Sequence, residues 1–113
     1  SRKSNAEAGA RSEQFFLKAL AVNPKDGSVW TSLGLLLMHR GRGAEAEVCF
    51  RKALALDPNN GFYHDMMAKY LLSLGRLPEA RAHVETALWL YPRDGVAQNL
   101  LNKIKRLQSA PPA

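Results

Sequence analysis

The sequence has a single cysteine and no long apolar run, and both absences narrow the class of protein. With Cys49 alone, no disulfide can form within the chain. The longest apolar stretch, around Leu35–Met38, stops at His39, far short of the ~18 residues that a membrane-spanning helix needs. The start of the chain, "SRKSNAEAGA", lacks the apolar centre of a secretory signal. We therefore expect no direct membrane contact. No compartment is indicated, and the cytoplasm is only the default.

The chain also lacks concentrated charge of one sign, although its net charge is +6. Residues 1–56 carry nine Lys or Arg and five Asp or Glu, while residues 57–113 carry seven and five. Only Asn102–Arg106, "NKIKR", is locally basic, and no basic run is interleaved with aromatic residues. Nucleic-acid surfaces commonly show such clustering. The sequence therefore predicts a protein that does not bind nucleic acid.

No pattern of catalytic or metal-ligating residues is found. The three histidines, His39, His64 and His83, are widely separated along the chain, without helical spacing or partnering cysteines. Cys49 has no nearby His or Asp that would activate it as a nucleophile. The stretch "GRGAEA" lacks the third glycine and the preceding strand of a phosphate-binding loop. We therefore predict a non-catalytic chain without a metal or cofactor.

What the sequence does contain is a motif that returns at a constant interval. The stretches "NPKDG", "DPNNG" and "YPRDG" begin at Asn23, Asp57 and Tyr91, so that the three starts are evenly spaced. In each, proline stops a preceding helix, and Asp or Asn followed by Gly caps and opens the next one. The constant interval predicts three corners that separate repeated units.

Two helical patterns lie between successive corners. Apolar residues at three- and four-residue steps mark the first helix of one unit: Val29, Trp30, Leu33, Leu36 and Leu37. Gly41 and Gly43 break that helix, and Gly75 breaks the equivalent helix of the next unit. Pro78 then falls where a first-turn proline is tolerated. Each unit is therefore predicted to be a helix–turn–helix.

At these residues the chain resembles the tetratricopeptide repeat (TPR) family, whose pattern runs Trp, Leu, Gly, Tyr, Ala, Phe, Ala, Pro over about 34 residues. The first unit supplies Trp30, Leu33, Gly34, Ala46, Phe50, Ala53 and Pro58, with Leu37 as a conservative departure at the Tyr position. The second unit keeps Ala68, Leu71, Ala80, Ala87 and Pro92, but has His64, Met67 and Val84 in place of Trp, Leu and Phe. The resemblance covers about residues 8–108. It implies an all-α solenoid forming a right-handed superhelix.

The resemblance also implies how the small residues pack. Gly34 would approach Ala46, and Ala68 would approach Ala80, so that the two helices of a unit come close together. Glycine inside a helix costs about 0.5–1 kcal/mol relative to alanine. Close packing offers a physical reason why Gly34 is nevertheless present.

The predicted organisation follows from the corners. Residues 1–7 form a disordered or non-native start, 8–26 the second helix of a truncated repeat, 27–60 and 61–94 two full repeats, 95–108 a capping helix and 109–113 a tail. In the last helix Asn102 and Lys105 replace the small and apolar residues of the full repeats. We interpret that helix as a polar cap, the C-terminus as genuine and the N-terminus as a cut.

By resemblance, the first helices of the units line a concave groove that binds a peptide or a partner protein. The predicted groove residues are Thr31, Leu35, Met38, His39, Phe62, Asp65, Lys69, Leu72, Asn99, Lys103 and Arg106. The alternative for each apolar member is packing between adjacent repeats. Co-chaperones of the family hold a peptide carboxylate with Lys, Asn and Arg, whereas the matching positions here are Thr31, Leu35, Met66, Val96 and Leu100. Binding of chaperone carboxylate tails is therefore not expected.

Three hypotheses for function remain open at this point. The first is a protein–protein interaction module in the C-terminal part of a longer protein. The second is a substrate-presenting or self-associating region of a larger enzyme, such as a glycosyltransferase, because TPR arrays occur attached to such enzymes. The third is self-assembly: an uncapped first helix would leave Phe15 bare, and two copies of the chain could form a homodimer there. Simple exposure of Phe15 to solvent is the alternative.

Overall fold

Six α-helices make up most of residues 2–111, the part of the chain that the structure, a computed structural model, describes. The helices are α1 (Arg2–Val22), α2 (Gly27–His39), α3 (Gly43–Leu56), α4 (Gly61–Ser73), α5 (Leu77–Leu90) and α6 (Gly95–Ser109). No strand occurs among these described residues. They form two compact units, one containing α1–α3 and the other α4–α6. The predicted all-α class is confirmed.

The three sequence corners open three helices, as predicted. Asp26, Asn60 and Asp94 precede the glycines that start α2, α4 and α6. Each side chain accepts a hydrogen bond from the backbone N–H three residues further on, at 3.2, 3.1 and 3.1 Å. Such caps satisfy amide groups that have no partner within the helix.

The turns between the two paired helices of each unit depend on glycines with a positive φ angle. Gly41 follows α2 with φ 77°, and Gly75 follows α4 with φ 75°. Only glycine adopts this conformation without steric cost, so these residues end the first helix of each pair. Pro78 lies in the first turn of α5, where its missing N–H is not needed.

The core of the first unit lies between α2 and α3, with α1 packed against α2. Leu33 and Leu37 of α2 are buried with Ala46 and Phe50 of α3. A Cβ atom at Gly34 would lie 2.8 Å from Cε1 of Phe50, and the three atoms nearest to it all belong to that ring. The absence of a side chain therefore makes room for the Phe50 ring, while the close approach of Gly34 to Ala46 that the resemblance implies stays a prediction.

The core of the second unit includes side chains from all three of its helices. Met67 and Leu71 of α4, Val84 of α5 and Ile104 of α6 are completely buried. Helix α4 contacts both α5 and α6, and α5 also contacts α6. The last helix is therefore part of the core of this unit, packed through one apolar side.

The helices at both ends of the chain extend beyond their predicted bounds. Helix α1 begins at Arg2, whereas residues 1–7 were predicted to be disordered or non-native and the helix to start at residue 8. At the other end α6 runs to Ser109, one residue beyond the predicted 108. Ser1 and the last two residues of the predicted tail, Pro112 and Ala113, lie outside the described residues.

An ionic network joins α1 to the turn before α3. The carboxylate of Glu13 accepts hydrogen bonds from Arg40 at 2.9 Å and from Arg42 at 2.5 Å. Arg42 also forms a bidentate ion pair with Glu45, with hydrogen bonds of 2.9 and 2.5 Å. The hydrogen bonds from Arg42 lower the pKa of Glu45. One guanidinium thus connects carboxylates from two helices.

Replacing Arg42 with methionine should weaken the attachment of α1, because the ion pair with Glu13 is lost while most of the aliphatic side chain is kept. We expect faster amide hydrogen exchange in α1, with a larger difference from the parent at low salt than at high salt. Arg51→Met is the matched control, since Arg51 pairs with Glu47 inside α3 and that pair joins no two helices. Equal exchange in α1 for both variants would show that the network does not hold α1.

Candidate partner-binding surfaces

In the first unit, α2 presents three of its four predicted groove residues at least partly to solvent. Leu35 and Met38 are half-buried, and His39 is exposed. Thr31 is only 2 % exposed, and its hydroxyl donates a hydrogen bond to the carbonyl of Gly27 at 3.0 Å. Thr31 therefore bonds within its own helix, whereas the other three residues reach the surface.

In the second unit, α4 presents an apolar and a cationic residue two turns apart. Phe62 is 54 % exposed, Lys69 is exposed, and Leu72 is half-buried. Their helical spacing places them along one side of the helix. Asp65, on the same side, is only 3 % exposed. The structure thus brings three of the four predicted α4 residues to the surface and buries the fourth.

Helix α6 adds a polar and basic stripe to the second unit. Asn99, Lys103 and Arg106 are exposed and follow one another at four- and three-residue steps. Val96 lies one turn before Asn99, on the same stripe, and is 45 % exposed. Sequence reasoning did not assign Val96 to the surface stripe, although its spacing would have allowed it. The stripe combines an apolar start with two cations.

The buried Asp65 is close to a second carboxylate. Burial and, after it, a hydrogen bond to Asp94 raise the pKa of Asp65 to about 7. The same hydrogen bond lowers the pKa of Asp94, which also caps α6. Below about pH 7, Asp65 therefore carries the proton and donates it in the hydrogen bond to Asp94. This pairing joins two helices that are not consecutive in the chain, and it gave no signal in the sequence.

A second pair that sequence reasoning missed joins α4 to α5. The Nδ1 atoms of His64 and His83 lie 3.0 Å apart, so one ring donates and the other accepts. The repeat pattern contained a signal for this contact. His64 and His83 lie one repeat after Trp30 and Cys49 of the first unit, so the two pairs occupy equivalent positions. Trp30 and Cys49 line one common depression. The histidines therefore occupy a contact between paired helices.

That depression in the first unit is mostly apolar and has a volume of about 250 Å³. It is lined by Glu13, Leu17, Trp30, Leu33, Leu37, Glu45, Val48 and Cys49. Burial raises the pKa of the Cys49 thiol, which disfavours the reactive thiolate. Trp30 is fixed by a hydrogen bond from its indole N–H to the Pro24 carbonyl at 2.8 Å. The arrangement is that of packed side chains around an inert thiol.

Neither metal-binding clusters nor membrane spans are found in the described part of the chain. Among residues 2–111, no three His, Cys, Asp or Glu side chains converge as metal ligands would. Within the same residues, no helix has the length and apolar character needed to cross a bilayer.

The helix–turn–helix repetition defines the class as an all-α repeat protein, and comparison with family models identifies the repeat. Tetratricopeptide repeat models match residues 28–60 and residues 49–82. The first match coincides with the pair α2–α3, and the second begins in α3 and ends in α5. The chain belongs to the tetratricopeptide repeat family. No curated protein sequence matches it.

Solved structures share the fold. TTC0263, a thermophilic TPR protein of Thermus thermophilus, is 26% identical with a TM-score of 0.87, covering 93% of this chain and 54% of that one. The second TPR domain of human RPAP3, in complex with the HSP70 peptide SGPTIEEVD, is 23% identical with a TM-score of 0.76, covering 89% and 84%. The Yersinia enterocolitica type III secretion chaperone SycD, in complex with a peptide of the translocator YopD, is 16% identical with a TM-score of 0.78, covering 96% and 88%.

Proposed function

We propose that this chain is a non-catalytic protein–protein interaction module that binds a peptide or a segment of a partner protein. The single observation that carries the proposal is the exposed side of α4 and α6 in the second unit. Phe62, Val96, Lys69 and Lys103 face solvent there, although the opposite sides of both helices are buried in the core. Exposed apolar residues flanked by charges are typical of a surface that a partner covers.

The charges on this surface favour a particular ligand chemistry. Helix α6 contains Lys103, Lys105 and Arg106 but no Asp or Glu. Asp65, the acidic residue on the equivalent side of α4, is buried, and its pKa is raised to about 7, so it carries less negative charge at neutral pH than an exposed aspartate. The ligand would therefore carry acidic side chains opposite the cations and an apolar side chain opposite Phe62. The peptide complexes of the RPAP3 domain and SycD support a peptide ligand, since both share the fold.

The proposal can be tested with peptides selected from a random display library against the parent protein. We expect the variant with Phe62→Ala, Lys69→Glu and Lys103→Glu to bind the selected peptides at least ~10-fold more weakly, because it loses an apolar anchor and two cations. The matched control, Trp89→Ala with Arg93→Glu and Lys105→Glu, makes the same kinds of change away from the α4 side and the α6 stripe. Titration by fluorescence anisotropy gives the affinities.

Two outcomes would contradict the proposal. Equal loss of binding in both variants would mean that total charge, rather than this surface, governs binding. Full binding by the first variant would place the binding site elsewhere. The HSP70 peptide SGPTIEEVD serves as a further probe, for which we expect no saturable binding, because Thr31, Met66 and Val96 stand where a carboxylate clamp needs basic or amide side chains.

Homodimer formation through α1 stays a prediction. Phe15 is 69 % exposed and packs edge-on against Phe16, with ring centroids 5.8 Å apart. Leu17 and Val22 of the same helix are also exposed. These apolar residues support a surface that a second copy could cover.

A further inference from the structure

The carboxyl group of Asp65 is buried beyond what an ionised carboxylate tolerates without compensation. The residue is 3 % exposed, and its Oδ1 atom has no hydrogen-bond partner among residues 2–111. Moving an unpaired carboxylate out of water costs several kcal/mol, and such groups take up a proton instead. Burial therefore favours the neutral, protonated form of this side chain in the folded unit.

Asp94 is the group that receives the Asp65 proton in a hydrogen bond. Its carboxylate already accepts from the backbone N–H of Ala97 at 3.1 Å, which caps the first turn of α6. The positive end of the α6 dipole and the hydrogen bond from the Ala97 N–H favour the ionised form of Asp94. Asp65 thus links α4 directly to the residue that orders the start of α6.

We propose that Asp65 and Asp94 form a proton-dependent latch, which holds the first turn of α6 against α4 while the pair shares one proton. Loss of that proton leaves two carboxylates facing each other at a buried position, and this repulsion separates α6 from α4 at its first turn. The latch concerns the folding of the second unit and does not depend on whether its surface binds a peptide.

The other charged groups around Asp65 are few. Lys69 lies one turn further along α4 and favours ionisation of Asp65, so it opposes the latch. From α6, Asp94 faces Asp65 and favours the protonated acid. From α5, the titratable side chain that meets this part of α4 is His83, and it contacts His64. The latch therefore depends mainly on burial and on Asp94.

The pKa shift of Asp65 gives the direction of the pH dependence. Burial and the hydrogen bond to Asp94 raise this pKa from 3.8 to about 7. The latch is consequently fully formed below about pH 4 and is lost as the pH rises through about 7. The pKa of Asp94 is lowered, so the stability that Asp94 adds is lost only at more acidic pH.

The test compares amide hydrogen exchange in α6 between the parent and Asp65→Asn, at about pH 5.5 and about pH 8. The asparagine amide can donate to Asp94 at any pH. We expect exchange in the first turns of α6 to be nearly equal in the two proteins at the lower pH, and about 10-fold faster in the parent at the higher pH. Because the parent and Asp65→Asn are compared with each other at the same pH, the intrinsic pH dependence of amide exchange cancels.

Asp26→Asn is the matched control, because Asp26 caps α2 in the same way without a buried carboxyl partner. Its exchange ratio to the parent should not change between the two pH values. A parent-to-Asp65→Asn ratio that is equal at both pH values would overturn the proposal. If Asp65→Asn does not fold, carbon-13 shifts of the carboxyl groups in the parent decide: an Asp65 midpoint near 7 supports the latch, and one below about 5 overturns it.

Discussion

Replacing Gly34 with leucine should destabilise the first unit by about 3 kcal/mol or more. A Cβ atom at this position would lie 2.8 Å from Cε1 of Phe50 and 3.1 Å from two further atoms of the ring. Phe50 is 1 % exposed, so its ring cannot move aside into solvent. Gly34→Ala should be destabilising too, although less, because the gain of about 1 kcal/mol in helix propensity partly offsets the clash.

The second unit shows how this packing can be changed. The positions that match Gly34 and Phe50 one repeat later hold Ala68 and Val84, both fully buried. A larger residue on the first helix is thus accompanied by a smaller one on the second. The double variant Gly34→Ala, Phe50→Val should therefore be more stable than the sum of the two single changes implies, because the valine makes room for the new methyl group.

Urea denaturation gives the free energies of unfolding for these variants. Gly95→Ala is the control, since a Cβ built there meets no atom within 4 Å in the described chain beyond its own helix turn. We expect that control to change the free energy of unfolding by no more than about 0.5 kcal/mol. If Gly34→Leu unfolded at the same urea concentration as the parent, Gly34 would not be in contact with Phe50. Additive effects of Gly34→Ala and Phe50→Val would show that the two positions do not interact.

Most of the fold could be predicted from the sequence because its determinants are local and repeated. The corners at Asn23, Asp57 and Tyr91 each combine a proline with a capping residue and a glycine. A motif that recurs at a constant interval is unlikely to arise by chance. The motif therefore predicted the helix starts at Gly27, Gly61 and Gly95. The start of α1 was less predictable, because "SRKSNAE" contains no apolar period.

The candidate surface was less predictable, since it depends on which side chains the packing leaves exposed. Thr31 and Asp65 occupy positions that the resemblance assigns to the groove, yet both are buried. Thr31 has a hydroxyl that can bond within its own helix, and Asp65 meets a carboxylate from a distant part of the chain. The Asp65–Asp94 pair is not visible without knowing how the helices are placed, whereas the repeat register offered a signal for the His64–His83 contact.

Replacing Ile104 with alanine should destabilise the second unit by about 2–4 kcal/mol. Helix α6 is packed through Ala97, Leu101 and Ile104, and Ile104 is the one large side chain among them that is completely buried. Shortening it removes contacts to the rest of the core and leaves a cavity, while the alanine itself suits a helix. Of the other apolar residues of α6, Val96 and Leu107 are exposed and Leu100 is half-buried, so few other contacts can hold the helix in place. The loss should therefore appear first as faster amide exchange in α6.

Leu107→Ala is the matched control, because Leu107 lies one turn further along α6 and is 48 % exposed. Its effect should stay within about 0.5 kcal/mol, since little apolar area is buried there. Exchange in α2 and α3 provides an internal reference that neither variant should change. Equal destabilisation by both variants would mean that α6 is held by its surface rather than by its apolar side.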